Sequence, residues 1–188
     1  LASLMGNLPQ VDEDVSLNLA NAYYMNLMRD DVQINPDFRQ SLQSGYKARC
    51  ELLDFSEQAS ADSINQWCSK QTNGFIPKVF DRLNATDISM LLNALYFKGD
   101  WTVPFCSDYT RAGSFTRENG DVEKLPMMVH GEAMYFDYAE DETMQAVRLP
   151  YARGKFGMTI LLPRKGKTTG DILQALSAER LSLLAKEM

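Results

Sequence analysis

The sequence predicts a mixed α and β fold, with several helices, a large and mostly antiparallel sheet, and smaller sheets. Three observations predict it: a nearly unbroken apolar run over residues 88–97, helical spacing over residues 35–46 and 60–74, and the pair Asn119-Gly120 between two strand-like segments. An apolar run with β-branched and aromatic residues favours a strand with apolar cover on both faces, as in the middle of a sheet.

Two further strands are predicted in the first half of the chain. Residues 15–25 form the first, with Ala22 and Tyr24 on one face and Tyr23 on the other, because successive side chains of a strand point to opposite faces. Residues 48–55 form the second.

Two helices are predicted between these strands and the apolar run. Asn35-Pro36 predicts a helix start, since Asn caps free amides and Pro at the first helical position gives up no hydrogen bond. Ser60 is predicted to cap the second helix, and Gly74 to end it in a left-handed turn. The inward face of the second helix is predicted to consist of Ala61, Ile64, Trp67 and Cys68.

The second half of the chain predicts short strands followed by two helices. Asn119-Gly120 predicts a tight two-residue turn between strands 113–117 and 122–127, because Asn-Gly accepts positive backbone angles. Three further strands are predicted over residues 133–138, 144–149 and 156–162. Thr169 is expected to start one short helix and Ser177 to cap the next, with Ile172, Leu173, Leu176, Leu181 and Leu184 facing inward.

Composition excludes several classes of protein. The 188 residues are 45% hydrophobic and 23% charged, which is ordinary for one globular domain or a piece of one. A net charge of -6 argues against nucleic-acid binding, and no apolar run approaches the ~20 residues that cross a bilayer. Cys50, Cys68 and Cys106 have neither metal-site spacing nor a disulfide framework, so free buried thiols are expected and no cofactor is predicted.

His130 is the only histidine, so a catalytic triad would have to use it. It follows Val129 near a strand end, and no G-x-S-x-G elbow occurs in the sequence. A hydrolase therefore needs a second catalytic residue near His130, and we predict that the protein is not an enzyme.

Two surface features remain as candidates for binding or modification. Arg164, Lys165 and Lys167 form a short basic loop that could contact a polyanion, although such a loop on an acidic protein is more often a solvated turn. Asn84-Ala-Thr86 is a glycosylation sequon, which matters only if the protein is secreted by a eukaryote.

Asn93 is a polar amide within the apolar run. A buried amide must be hydrogen-bonded, because an unpaired one costs about 1–3 kcal/mol. From the residues alone, Asn93 is a satisfied core amide.

An ordered series of motifs resembles the serpins, the serine protease inhibitor superfamily. The central motif runs from Asn93 through Phe97-Lys98-Gly99 and Trp101 to Pro104-Phe105. Residues that match upstream are Ile64, Asn65, Trp67, Thr72, Gly74 and Ile76. Those downstream are Thr110, Phe115, Gly120, Pro126-Met127-Met128, Leu149-Pro150-Tyr151, Phe156, Met158 and Leu161-Leu162-Pro163.

The resemblance implies a suicide inhibitor of serine or cysteine proteases. The protease cleaves an exposed reactive loop, which then inserts into the main sheet as a new strand. A non-inhibitory serpin that serves as a carrier, chaperone or storage protein is the alternative, and the hinge before the reactive loop discriminates the two. The resemblance also implies that the helix over residues 60–74 covers the sheet and gives way on insertion.

Two residues are expected by resemblance to control how readily the sheet opens. Asn93 matches a buried amide where the sheet parts, with its partner expected on a strand outside this chain. Trp101 matches a large aromatic at the top of the sheet. The strand around Asn93 is expected to border a slot within the sheet, so an outer position would count against the inhibitor interpretation.

Both ends of the sequence read as interrupted segments. Residues 1–188 are therefore expected to be part of a single serpin domain, with the early helices, the last strands and the reactive loop outside this chain. An extracellular location is expected, with an intracellular one as the alternative.

Overall fold

A computed structural model describes residues 2–188 as two compact units, of which the first ends at Lys98 and the second begins at Gly99. Within residues 2–188, no helix is both long and apolar enough to span a membrane.

The first unit contains three helices and three strands. They are α1 (Ala2–Asn7), β1 (Val15–Asn26), α2 (Pro36–Tyr46), β2 (Arg49–Leu53), α3 (Gln58–Gln71) and β3 (Ser89–Gly99), with a 3-10 turn at Leu8–Gln10. Strand β3 runs one residue into the second unit. The strands predicted over residues 15–25, 48–55 and 88–97 are confirmed as β1, β2 and β3.

The sheet of the first unit has the strand order β2-β1-β3. Strands β1 and β2 are parallel, with Ala22 opposite Arg49 and Asn26 opposite Leu53. Strand β3 therefore has a neighbour on one side only among the described residues. The predicted inner position of this strand is wrong for the sheet that these residues form.

The apolar cover predicted for both faces of β3 is also wrong within residues 2–188. Ala94 is buried, whereas Leu91 is 71% and Leu95 58% exposed. The two faces differ because α3 covers one of them, and exposed apolar groups persist where no described element packs.

Helix α3 covers the sheet, as predicted, and the face that it covers carries Ala22 and Tyr24. The side chains predicted to face inward from α3 are buried, and they join a core with those of β1 and β3. This buried core consists of Ala22, Tyr24, Phe55, Ile64, Trp67, Cys68 and Ala94.

Helix ends confirm part of the predicted capping. The Asn35 side chain accepts a hydrogen bond of 2.8 Å from the Asp37 amide. Ser60 does not cap α3, because the helix starts at Gln58 and Ser60 is buried inside it. After α3, Gly74 has a φ of +79° and its amide donates to the Ser69 carbonyl at 2.7 Å, so the predicted left-handed turn is present.

The second unit contains five strands and two helices. They are β4 (Arg111–Thr116), β5 (Val122–Met127), β6 (Asp137–Glu140), β7 (Met144–Tyr151), β8 (Phe156–Pro163), α4 (Thr169–Ala175) and α5 (Ala178–Glu187), with a 3-10 turn at Ser107–Tyr109. Strands β4 and β5 form an antiparallel hairpin, and β6-β7-β8 form an antiparallel sheet. The strand predicted over residues 133–138 begins instead at Asp137.

The hairpin turn is longer than the sequence predicts. Strand β4 ends at Thr116 and β5 begins at Val122, so five residues join them instead of two. Gly120 has the expected positive φ of +88°, but Asn119 does not. The loop is closed by a hydrogen bond of 2.8 Å from the Arg117 amide to the Asp121 carbonyl.

Both predicted C-terminal helices are present. The Thr168 and Asp171 side chains form a capping box at α4, and the Ser177 side chain caps α5. Ile172 and Leu184 pack in a core with Ala139, Met144 and Ala146. Leu173 and Leu181 are exposed, so their predicted inward orientation is wrong, because these short helices bury only a narrow stripe.

Candidate functional site

The Asn93 side chain lies at the outer strand of the first sheet. Its Nδ2 donates to Oδ1 of Asn21 on β1 at 2.9 Å and to the Ala20 carbonyl at 3.4 Å. Asn93 is exposed, not buried, and its partner lies within this chain. The predicted burial of Asn93 is therefore wrong within residues 2–188. The partner expected on a strand outside this chain stays a prediction, and Asn21 is a partner that the sequence did not reveal.

Asn21 also forms a hydrogen bond to the end of α2. Its Nδ2 donates to the Tyr46 carbonyl at 2.9 Å, at the last residue of that helix. Asn21 therefore links β3 to the end of α2 through two side-chain amides. Its position in a strand of alternating polarity did not distinguish it in the sequence.

Grooves flank β3 on both sides of Asn93. A cavity of about 490 Å³ lies between β3 and the segment that follows α3, and is lined by residues that include Thr72, Val79, Leu92 and Ala94. A second cavity of about 700 Å³ lies next to α1 and α2 and is mostly apolar. Asn93 lines both cavities, so a segment laid along the free edge of β3 would contact it.

The segment between α3 and β3 is fixed by Asn65. Its Oδ1 accepts from the amides of Val79 and Phe80 at 2.8 and 3.0 Å, and its Nδ2 donates to the Phe80 carbonyl at 2.7 Å. Thr72 is buried, and its hydroxyl donates to the Cys68 carbonyl at 2.8 Å and accepts from the Ile76 amide at 3.0 Å. Asn65 and Thr72 are polar because their side chains hydrogen-bond to backbone groups of the segment between α3 and β3 and of the end of α3.

Tyr24 lies beneath α3 with a fully buried side chain, and its hydroxyl has no hydrogen-bond partner within residues 2–188. Burial raises the pKa of Tyr24 to about 12, because the phenolate loses its hydration in an apolar surrounding. Burial also raises the pKa of the nearby Cys68 thiol, which keeps this thiol protonated and unreactive.

Trp101 belongs to an aromatic cluster in the second unit. Its ring stacks on Tyr151 with a centroid distance of 4.4 Å and an interplanar angle of 13°, and meets Phe105 edge-on at 6.2 Å. Backbone hydrogen bonds join Thr102 to Pro150 at 2.9 Å and Ala152 to Asp100 at 2.8 Å. Asn93 and Trp101 thus belong to different units.

His130 is packed between aromatic rings. Its ring stacks on Phe105 at 4.1 Å and lies 5.4 Å from Phe136, and its Nε2 is buried without a hydrogen-bond partner in the described chain. General-base catalysis requires a hydrogen bond between the base and the group that it deprotonates. His130 is thus a half-buried histidine packed between aromatic rings.

The three cysteines differ in exposure. Cys68 is buried, Cys50 is partly exposed and Cys106 is exposed, so the prediction of buried thiols is wrong for Cys106. Within residues 2–188, no group of three or more potential ligands from His, Cys, Asp and Glu could hold a metal ion.

In the basic loop, Arg164 forms an ion pair with Glu140 at 2.7 Å, which leaves Lys165 and Lys167 as the exposed cations of that loop.

Comparisons with known proteins cover the whole chain. The sequence model of the family Serpin (serine protease inhibitor) matches residues 1–188. Serpin I2 of Homo sapiens is 26% identical over 100% of this chain and 47% of its own length. Serine protease inhibitor 42Dd of Drosophila melanogaster is 30% identical over 99% of this chain and 50% of its own length. The chain thus spans about half the length of the curated relatives it matches.

Solved structures agree on the fold. The Manduca sexta serine protease inhibitor serpin-12 superposes with a TM-score of 0.82 at 23% identity, covering 100% of this chain and 54% of that chain. A thyroxine-binding globulin complex with thyroxine superposes with a TM-score of 0.81 at 22% identity, covering 98% of this chain and 49% of that chain. These similarities confirm the predicted mixed α and β fold.

Proposed function

The chain belongs to the serpin family, and from that premise we propose that residues 1–188 form part of a single serpin domain that inhibits a serine or cysteine protease by cleavage and insertion of a reactive loop. The relatives that the chain matches are about twice as long. The early helices, the last strands and the reactive loop are supplied by the remainder of that longer protein, which we call the full-length protein.

The family match over residues 1–188 carries this proposal, and the outer edge of β3, within the part of the chain that the structure describes, is where a further strand would add. An edge strand presents unpaired backbone groups to which another strand can add. Strand β3 has eleven residues, and each added hydrogen bond contributes only about 0.5–1.5 kcal/mol net. The driving force is therefore summed along the whole strand, together with burial of side chains such as Leu91 and Leu95.

The outer position of β3 is compatible with the proposal only if the full-length protein places a further strand beyond a gap. In that arrangement β3 is one lip of the gap, and the grooves beside Asn93 receive the inserting loop. Helix α3 and its following segment, fixed by Asn65 and Thr72, cover the sheet beside this lip and move when it opens.

Asn93 and Trp101 are proposed to set the barrier to opening. Asn93 ties the lip to β1 through Asn21, so the lip moves together with the sheet instead of fraying. Trp101 fixes the segment after β3 by stacking on Tyr151. Neither residue performs covalent chemistry.

A carrier function is the second candidate. The thyroxine-binding globulin structure contains thyroxine and has the same fold, so the fold alone accommodates both activities. The hinge before the reactive loop separates them: small residues there permit insertion, whereas bulky or charged residues oppose it.

Two further parts of the proposal concern where the protein is located and whether it contacts a polyanion. An extracellular location is proposed together with use of the exposed Asn84 sequon. Contact with a polyanion at Arg164, Lys165 and Lys167 is a weaker proposal, because Glu140 already neutralises Arg164.

The test is formation of a covalent complex. The full-length protein is incubated with a panel of serine and cysteine proteases and examined by denaturing gel electrophoresis. An inhibitor gives an SDS-resistant complex with at least one protease. A protein that is only cleaved as a substrate, or not cleaved at all, across the panel is not an inhibitor of this kind, and the carrier function then takes precedence.

A further inference from the structure

A basic cavity lies in the first unit next to β1. It has a volume of about 780 Å³ and is bounded by α3 and by residues of β1 and β2. Lys47, Arg49 and Lys70 line it, and none of its lining residues is Asp or Glu. The whole chain has 25 acidic and 19 basic residues and is therefore negatively charged. The lining of this cavity, in contrast, carries three positive charges and no acidic residue.

Two of these cations have no acidic partner. Within residues 2–188, neither Lys47 nor Lys70 forms an ion pair, while Arg49 pairs with Glu51 at 2.6 Å. A guanidinium has five N–H donors, so one carboxylate leaves several of them available. Unpaired cations in a concave site focus the electrostatic field and attract anions.

Lys47 has an unusual backbone conformation. Lys47 ends α2 with a φ of +49°, a left-handed conformation that glycine or asparagine ordinarily supplies at a helix end. Its Nζ lies close to Gly6 of α1, 3.0 Å from where a Cβ would stand. A lysine thus occupies a position where the backbone favours glycine, so Lys47→Gly removes this cation without straining the chain.

Neutral polar side chains complete the lining. Ser63, Gln66 and Gln71 of α3 stand in the same cavity as the three cations. Hydroxyl and amide groups donate hydrogen bonds to anionic oxygens, and such charge-assisted bonds are stronger than neutral ones. The volume lies in the range of about 300–1,000 Å³ that is usual for small-ligand sites.

We propose that this cavity binds a compact, multiply charged oxyanion ester, in which sulfate or phosphate groups on a sugar-sized scaffold pair with Lys47, Arg49 and Lys70. The two esters share tetrahedral, negatively charged oxygens, which is the chemistry that these donors recognise. A compact ligand is expected because the cations surround a cavity and do not form a linear strip.

A bound anion would join α3 to the adjacent strands. Lys70 lies in the last turn of α3, whereas Arg49 is the first residue of β2 and Lys47 follows the end of α2. The ligand therefore holds α3 against the sheet. This regulatory consequence rests on the proposed function, in which α3 gives way during insertion, and it predicts slower protease inhibition with ligand bound. The binding itself is independent of that function.

Calorimetry on the full-length protein at 0.15 M NaCl tests the site. The probes are sucrose octasulfate and inositol hexakisphosphate, with sucrose and inositol as uncharged controls. The variant Lys47→Gly/Lys70→Gln removes two cations from the cavity, and glycine suits the backbone at position 47. The matched control Lys155→Gln/Lys186→Gln makes the same change in net charge at exposed lysines of the second unit, outside the basic loop of residues 164–167.

The proposal predicts that the parent binds at least one probe, that the cavity variant weakens the Kd about tenfold or more, and that the control variant stays within about twofold. Tighter binding of one probe identifies the ester. Equal weakening in both variants, or no binding of either probe, overturns the proposal. A parent that binds the probe yet forms no protease complex retains this site and loses the proposed inhibitor function.

Discussion

Asn93 on β3 donates a hydrogen bond of 2.9 Å to Oδ1 of Asn21 on β1, and Asn21 in turn donates to the Tyr46 carbonyl of α2. Two amides thus connect the free-edged strand to its only described neighbour and to a helix. Because both groups are partly accessible, the link is one that water can replace, so it affects the rate of sheet opening more than it affects overall stability.

Replacing Asn93 by Ala in the full-length protein is expected to shorten the lifetime of the native state on heating and to yield latent or polymeric material. Asn21→Ala should have a similar effect, with each change costing about 0.5–1.5 kcal/mol. The double variant should be no worse than the more damaging single one, because both break the same bond. Native lifetimes are measured by size-exclusion chromatography after timed heating.

Asn119→Ala is the matched control for these variants, since Asn119 is exposed in the hairpin loop of the second unit. Effects of Asn93→Ala and Asn21→Ala that simply add, or a parent lifetime for Asn93→Ala, would contradict a shared role in opening.

Tyr24 gives the protein a specific sensitivity to alkaline pH. Burial raises its pKa to about 12, above the ordinary value of about 10 for tyrosine. The folded state therefore holds the phenolic proton more tightly than the unfolded state. This contribution to stability is fully present below pH 10 and is lost as the pH rises through 12, by an amount of about 2–3 kcal/mol.

The free energy of unfolding of the full-length protein, measured between pH 8 and 12, checks this prediction. Tyr24→Phe should lose less stability than the parent above pH 10. At pH 8 it should be neutral or slightly stabilising, because it removes a buried hydroxyl without a partner. Tyr135→Phe is the control, since Tyr135 is 100% exposed, and it should follow the parent. Identical pH profiles for the parent and Tyr24→Phe would refute the assignment.

Trp101 is expected to stabilise the segment after β3 through its stack on Tyr151. Trp101→Ala should cost about 2–4 kcal/mol, since it removes a large aromatic contact, whereas Trp101→Phe should retain about half of this. Tyr151→Ala should be non-additive with Trp101→Ala. Denaturant unfolding of the full-length protein measures these values, and additive losses would mean that the stack carries no coupling energy.

Asn84 is expected to carry an N-linked glycan when the full-length protein is secreted from eukaryotic cells. Its side chain is exposed, and its Oδ1 accepts hydrogen bonds from the Thr86 amide and hydroxyl at 3.1 and 2.8 Å. Thr86→Ala should abolish the modification and Thr86→Ser should retain it. Intact mass before and after enzymatic deglycosylation decides, and an unmodified Asn84 peptide from secreted protein would contradict the prediction.

Local rules predicted much of the fold from the sequence. The caps at Asn35 and Ser177, the face of α3, and the strands of both units depend on neighbouring residues and on burial on one side. These local rules fail where packing or pairing with another part of the chain determines the structure. Ser60 has the composition of a cap but is buried, and the Asn-Gly loop is extended because Arg117 pairs across it to Asp121.

The site was harder to predict, because its geometry depends on partners distant in sequence. Asn93 bonds to a residue 72 positions earlier. The satisfied core amide expected at Asn93 is found instead at Asn26, which is buried and donates to the carbonyls of Ala85 and Asp87 at 2.9 and 3.0 Å. An apolar run likewise does not reveal whether both faces will be covered, and Leu91 and Leu95 show that one face of β3 is not.

The central claim is that β3 borders a gap that accepts one more strand from the same molecule. Hydrogen exchange of the β3 amides in the full-length protein, before and after proteolytic cleavage of its reactive loop, tests this claim most directly. The account predicts that the alternate amides of residues 89–99 that face the edge exchange about a hundredfold or more slowly after cleavage, because they become hydrogen-bonded to the inserted strand. Unchanged exchange along β3 in the fully cleaved protein would contradict it.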